Sequence, residues 1–152
     1  MPDSSQILVN LTSTIIFIPI NALILWAVIK WMFKLSNKKF LIALKTAAVA
    51  AGILFAVQQA IGVISGPLIN KALSAGMLLG IGILLFLITT AITVLVNSYA
   101  VKAFYKEKTR KAFLVGIAWT VVNLVIGLII GAIIVGIAIA LTLGTGSSTV
   151  VA

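Results

Sequence analysis

Four long, almost uninterrupted stretches of apolar residues set the strongest limit on how this chain can fold. They cover residues 7–29, 40–65, 72–101 and 112–143. Each stretch is about as long as, or longer than, the roughly 20 residues that a helix needs to cross a bilayer. Strands of a membrane barrel are shorter and alternate in polarity, so these stretches predict helices. The expected fold is all-α, a polytopic integral membrane protein with four transmembrane helices in a single domain spanning residues 1–152.

The composition leaves lipid as the solvent for most of the chain. Of its 152 residues, 62% are hydrophobic and only 9% are charged, and the mean hydropathy is +1.32. A soluble domain is typically about half apolar and about a quarter charged. These values exclude an ordinary soluble enzyme or binding domain, and the high hydrophobicity also excludes intrinsic disorder.

The chain holds few groups that could do chemistry. It has no cysteine and no histidine, and its only carboxylate side chains are Asp3 and Glu107. Thiolate and imidazole metal sites are therefore excluded. A paired-carboxylate acid–base site would need Asp3 and Glu107 to meet, and the topology argued below places them on opposite sides of the membrane. No arrangement activates a Ser, Thr, Lys or Tyr nucleophile, so we expect no enzymatic activity and no cofactor.

Basic residues concentrate in two of the three connectors and predict the topology. The positive-inside rule places both basic connectors in the cytoplasm, and both termini and the central turn outside. The N-terminal segment has no basic side chain before its long apolar run, so we expect the first helix to be retained rather than cleaved. The first connector carries Lys30, Lys34, Lys38 and Lys39, and the second carries Lys102, Lys106, Lys108, Arg110 and Lys111.

The net charge of +9 is mainly a consequence of this topology. Basic residues next to an anionic leaflet attract its headgroups, so we expect anionic lipid, or an acidic face of a cytoplasmic protein, to meet these connectors. Basic and aromatic residues that alternate can bind single-stranded nucleic acid, but here they match an interface belt and we expect no nucleic acid. The expected location is the cell membrane, and the preference for Lys over Arg favours a prokaryotic cytoplasmic membrane.

The two basic connectors share their spacing. The residues 30–39 and 102–111 place basic side chains at matching positions, with an offset of 72 residues. One interpretation is a duplicated two-helix unit, with parallel repeats related by an axis along the membrane normal. The other is that any two cytoplasmic connectors resemble each other because both are basic and aromatic.

Small residues recur every fourth position on three of the predicted helices. Such stripes allow helix backbones to approach closely, which is how membrane helices associate. The glycine pairs predict that the third and fourth helices pack together in their outer halves, and the rival interpretation is an interface with a second protomer or another protein. The stripes are Ala48, Gly52, Ala56 and Ala60 on the second helix, Gly76 and Gly80 on the third, and Gly127 and Gly131 on the fourth.

Five polar residues fall at membrane depth: Lys45, Gln59, Asn21, Asn97 and Asn123. A side-chain amide in hydrocarbon needs a partner, so Asn21 and Asn123 above all predict hydrogen bonds between helices. Lys45 lies close enough to the first connector for its amine to reach the cytoplasmic headgroups. The alternative is that these residues line a polar pathway.

Two functions follow from these features. The first is a non-enzymatic scaffold, accessory subunit or oligomeric assembly module, favoured by the shortage of reactive groups and the small-residue stripes. The second is a small channel or transporter for anions or uncharged solutes that works as an oligomer, because four helices rarely enclose a pore. The absence of an intramembrane carboxylate argues against coupling to protons or cations.

Overall fold

The computed structural model describes residues 4–33, 35, 39–70 and 75–145, and almost all of them are helical. Helix α1 covers Ser4–Val28 and continues into a π-helical turn at Ile29–Phe33; α2 covers Phe40–Asn70, α3 covers Ala75–Tyr105 and α4 covers Thr109–Thr145. All four are long and apolar enough to cross a membrane. The predicted all-α fold with four transmembrane helices is confirmed.

Helix α2 continues beyond its predicted end and through a proline. The sequence predicted an end near residue 65, but α2 runs to Asn70 with Pro67 inside it. A residue that precedes proline is normally pushed out of the helical region, because the proline ring clashes with its backbone N–H and its Cβ. Gly66 has no Cβ, so that part of the clash is absent, and membrane helices tolerate the backbone group that proline leaves free.

The connector between α3 and α4 is three residues long, and local interactions stabilise its turn. Lys106 adopts a left-handed backbone with φ of 53° directly after α3. The backbone N–H of Ala112 donates to the Lys108 carbonyl at 3.0 Å. Lys111 and Glu107 form an ion pair at 3.6 Å across one turn. This short connection makes α3 and α4 antiparallel neighbours at their connector ends.

The two connectors with similar basic spacing differ in local structure. The first is preceded by the π-helical turn Ile29–Phe33, whereas the matching residues 101–105 belong to the regular helix α3. At the end of α1, the Lys30 ammonium lies 4.5 Å from the centre of the Trp26 ring. Duplication of a two-helix unit stays a prediction.

The contacts divide the chain into two units, Met1–Thr120 and Val121–Ala152. The described part of the second unit is the remainder of α4 alone. In the first unit the buried side chains gather where the helices meet the two basic connectors, and Ser65 is the exception. The buried set is Ala22, Leu25, Val28, Ile29, Leu35, Ala43, Thr46, Ala47, Ala50, Asn97, Ser98, Ala100, Val101, Tyr105, Ala112, Val115, Trp119 and Thr120.

Candidate functional site

A polar cavity of about 410 Å³ lies between α1 and α2, away from the connectors. From α1 it is lined by side chains between Ser13 and Asn21, and from α2 by side chains between Ala51 and Gln59. Eight residues of helix correspond to roughly 12 Å, so the cavity follows the two helices for about that length. The full lining is Ser13, Thr14, Phe17, Asn21, Ala51, Leu54, Phe55, Gln58 and Gln59.

Three carboxamides give this cavity its chemistry. Asn21, Gln58 and Gln59 each offer two donor hydrogens and an acceptor oxygen. Within the part of the chain that the structure describes, none of the three amides makes a hydrogen bond. The hydroxyl of Ser13 donates to the Val9 carbonyl at 2.9 Å and so is already used within α1. The amides are therefore the groups left to meet whatever occupies the cavity.

The cavity ends where the packed core begins. Ala22 and Leu25 follow Asn21 on α1 and are fully buried, and Ala50 and Ala47 precede Ala51 on α2 and are at most 2% exposed. The side of the cavity nearer the connectors is thus filled by small and branched apolar side chains. Within this unit the cavity is a blind recess rather than a passage along the helices.

The structure brings together only two of the five predicted polar residues. Asn21 and Gln59 line the cavity, whereas Lys45 is exposed on α2 and is not part of its lining. Asn97 is buried against α4, in a different place. Asn123 belongs to the unit that begins at Val121. The polar pathway through all five residues therefore stays a prediction, and only its Asn21–Gln59 part has a common site.

Asn97 takes part in a hydrogen-bond relay between α3 and α4. Its Nδ2 donates to the Thr120 hydroxyl oxygen at 3.0 Å, and that hydroxyl donates to the Gly116 carbonyl at 2.8 Å. All donors and acceptors in this relay are buried. The relay joins two helices through an asparagine, as expected of a side-chain amide at membrane depth, although the sequence indicated Asn21 and Asn123 for this role more than Asn97.

Gly116 allows α3 and α4 to touch beside this relay. A Cβ at this position would overlap the Ser98 hydroxyl and lie 2.7 Å from the Ser98 backbone nitrogen. The Ser98 hydroxyl itself donates to the Val94 carbonyl at 2.6 Å, which keeps it on its own helix. Only glycine fits at 116 without moving the two backbones apart.

The predicted small-residue stripes occupy exposed positions in the first unit. Ala48, Gly52, Ala56 and Ala60 all lie on an uncovered side of α2, and Gly76 and Gly80 are exposed at the start of α3. A Cβ at Gly52, Gly76 or Gly80 would meet no atom of residues 1–120 within 4 Å. Gly127 and Gly131 lie in the second unit, on α4 alone. Packing through these stripes stays a prediction.

The basic residues that the structure describes are mostly exposed at the connector end. Lys30, Lys39, Lys102, Lys106, Lys108 and Arg110 are exposed, and Lys111 is partly covered. Lys34 and Lys38, together with Asp3 and Lys71, lie outside the described residues.

Sequence reasoning missed three groups of residues at these sites. In the cavity these are Ser13 and Thr14, which belong to the short polar run 12–14, and Gln58, which precedes the predicted Gln59. The contact at Gly116 had a usable signal, since Ala112, Gly116 and Thr120 repeat every fourth position on α4. The buried face of α2 carried a similar signal in Ala43, Ala47 and Ala50, at spacings of four and three residues, on a side of the helix adjacent to the predicted stripe.

Comparison with known proteins finds no matching family model, no matching curated protein and no matching solved structure.

Proposed function

We propose that this chain is a non-enzymatic membrane protein that works by lateral assembly, as a scaffold, accessory subunit or oligomeric module. The observation that supports this is the open space beside its small-residue stripes. Gly52 on α2 and Gly76 and Gly80 on α3 are exposed and have no neighbour from residues 1–120 within reach of a Cβ.

The hydrophobic effect does not drive apolar helix faces together in a bilayer, since acyl chains are as apolar as leucine. What favours association is a surface that another helix fits better than lipid does. Gly76 and Gly80 lie one turn apart and form a shallow groove into which a second backbone can approach closely. The proposed occupant is another membrane protein or a second copy of this chain.

The proposed orientation has both basic connectors in the cytoplasm and both chain ends outside, in the cell membrane of a prokaryote. The exposed cations Lys39, Lys102, Lys108 and Arg110 support it, because they lie in or next to the two basic connectors, which join α1 to α2 and α3 to α4. In this orientation the connectors meet anionic headgroups.

Replacing glycines in the α3 groove tests the assembly proposal. The double variant Gly76→Ile/Gly80→Ile fills the groove, while Gly82→Ile makes the same change on the opposite side of α3, where a Cβ also meets no atom. We expect mild extraction and native mass spectrometry to show an oligomer or a co-purifying membrane protein. The associated fraction should fall about tenfold in the double variant, which corresponds to roughly 1.4 kcal/mol, and persist in Gly82→Ile. A strictly monomeric, partner-free parent chain would contradict the proposal.

A second candidate function is passage of a small uncharged solute. Its support is that Asn21 and Gln59 line one cavity that contains no charged side chain. Because the recess is closed towards the connectors, passage requires a second copy to complete the route. Flux of glycerol into proteoliposomes should fall in Asn21→Leu and be unchanged in Lys45→Gln. Chloride flux that depends on Lys45 would replace this candidate with an anion pathway.

A further inference from the structure

We propose that the cavity between α1 and α2 is a binding site for an uncharged group that both donates and accepts hydrogen bonds. Such a group is a hydroxyl or an amide, carried by a neutral lipid or by a small neutral solute. The site shares its residues with the passage of solutes considered above, but it requires no flux, and it is independent of assembly through the α3 groove.

The first support is the three amides that have no partner. Asn21, Gln58 and Gln59 line the same cavity and make no hydrogen bond within the described residues. Leaving an amide unpaired in an apolar environment costs roughly 2–7 kcal/mol, depending on the reference. Asn21 and Gln59 are partly buried and Gln58 is exposed. Since the three residues line one recess from two helices, a single ligand can reach more than one amide.

The second support is the absence of charge in the lining. No acidic or basic side chain is among the nine residues that line the cavity, and the exposed Lys45 lies outside it. An anion or a cation in this recess would lose hydration without gaining a counter-charge. Carboxamides present donors and acceptors together, so they match a neutral group that also has both.

The third support is the shape and the apolar wall. Phe17, Leu54 and Phe55 provide hydrophobic surface beside the amides. The volume of about 410 Å³ lies within the range typical of small-molecule sites. It equals the liquid volume of about fourteen water molecules. The recess therefore suits a small polar headgroup followed by an apolar segment, or a neutral solute of similar size.

Equilibrium binding to the full chain in phosphatidylcholine nanodiscs tests this site. The probes are radiolabelled monoolein, which carries two hydroxyls on an acyl chain, and oleate, which carries the same chain with a carboxylate. We expect one saturable monoolein site per chain and binding of oleate at least about tenfold weaker. Unlabelled glycerol then identifies the source of the bound group. Displacement of monoolein by glycerol indicates a free solute, and no displacement indicates a lipid headgroup.

Matched variants locate the site. Asn21→Leu and Gln58→Leu/Gln59→Leu should each weaken monoolein binding about tenfold, as expected for the loss of one or two hydrogen bonds. Ala51→Leu should have a similar effect because it fills the recess without removing an amide. Lys45→Leu is the control that replaces a polar side chain outside the cavity and should bind like the parent chain. Gly76→Ile/Gly80→Ile should also bind normally, which separates this proposal from the assembly proposal.

Three outcomes would overturn the proposal. Equal affinity for oleate would show that the recess does not select an uncharged group, and normal binding by the amide and Ala51 variants would place the ligand elsewhere. Without saturable binding of either monoolein or glycerol, the cavity only holds water or is filled by another helix. A disulfide between two chains carrying Gln58→Cys would identify that helix as a second copy.

Discussion

At the scale of single residues, the contact between Gly116 and Ser98 sets how closely α3 and α4 can pack. The space for a Cβ at 116 is already taken by backbone and side-chain atoms of Ser98. Backbone atoms cannot move aside as the end of a flexible side chain can. The absence of a side chain at 116 is therefore a requirement of this packing.

We expect Gly116→Ala to destabilise the chain by about 1–3 kcal/mol, the usual cost of forcing extra atoms into a packed site. Unfolding in mixed micelles at increasing denaturing detergent measures this free energy. Gly62→Ala is the control, because a Cβ there meets no atom within 4 Å. It should be neutral or slightly stabilising, since alanine favours helix over glycine. An equal decrease in the free energy of unfolding in both variants would contradict the close contact between Gly116 and Ser98.

The relay from Asn97 through Thr120 to Gly116 makes a second prediction. A double-mutant cycle with Asn97→Leu and Thr120→Val should give a coupling free energy of about 0.6 kcal/mol and at most about 1.7 kcal/mol, the range for such bonds in membranes. Thr12→Val is the matched control, because the Thr12 hydroxyl donates to the Leu8 carbonyl of its own helix, α1, at 2.9 Å. Its coupling to Asn97→Leu should be near zero in the same unfolding assay.

At the scale of helices, the sequence predicted which stretches are helical better than it predicted their ends and their buried sides. Length and apolarity decide whether a stretch spans a bilayer, and both can be read directly. The end of α2 could not be read from the pair Gly66–Pro67, because the missing Cβ of Gly66 removes part of the clash with the proline ring and membrane helices tolerate the backbone group that proline leaves free. The buried side of α2 was out of reach, because stripes of small residues run along two of its sides and only tertiary contacts choose between them.

The end of α3 stores strain that a substitution can release. Lys106 has a left-handed backbone, which costs a residue with a Cβ roughly 1–2 kcal/mol. Lys106→Gly should therefore stabilise the α3–α4 connection by up to about 1 kcal/mol, after the greater entropy loss of glycine on folding. Lys108→Gly is the control, since no left-handed backbone occurs there, and it should be neutral or destabilising. Higher stability in Lys108→Gly than in Lys106→Gly would contradict the strain.

At the scale of the whole molecule, the buried side chains of residues 1–120 lie mainly near the two basic connectors. The amide-lined recess lies near the middle of α1 and α2, beyond the last buried alanines. The sequence indicated Asn21 and Gln59 as polar residues at membrane depth, but it could not show that they share a site. That pairing depends on how α1 and α2 lie side by side, which the spacing within one helix does not determine.

The proposed topology has a direct test because the chain lacks cysteine. Single cysteines can be introduced without removing a native one. Lys108→Cys should react with a membrane-impermeant maleimide only from the cytoplasmic side, and Ser5→Cys only from the outside. Labelling of intact cells and of inverted vesicles, compared for each variant, measures this. Labelling of both positions from the same side would contradict the three crossings, by α1, α2 and α3, that the topology places between them.

Because the buried side chains lie mostly near the two basic connectors, the positions at which this protein can change during evolution are unevenly distributed. Buried positions such as Ala43, Ala47 and Ala100 leave little room for a larger side chain, whereas most positions near the start of α3 face open space. A saturation library scored for folded protein should therefore show that tolerance of substitutions rises along each helix of residues 1–120 with distance from the two basic connectors. New specificities for partners or ligands can be acquired at the tolerant end while the other end continues to hold the helices together.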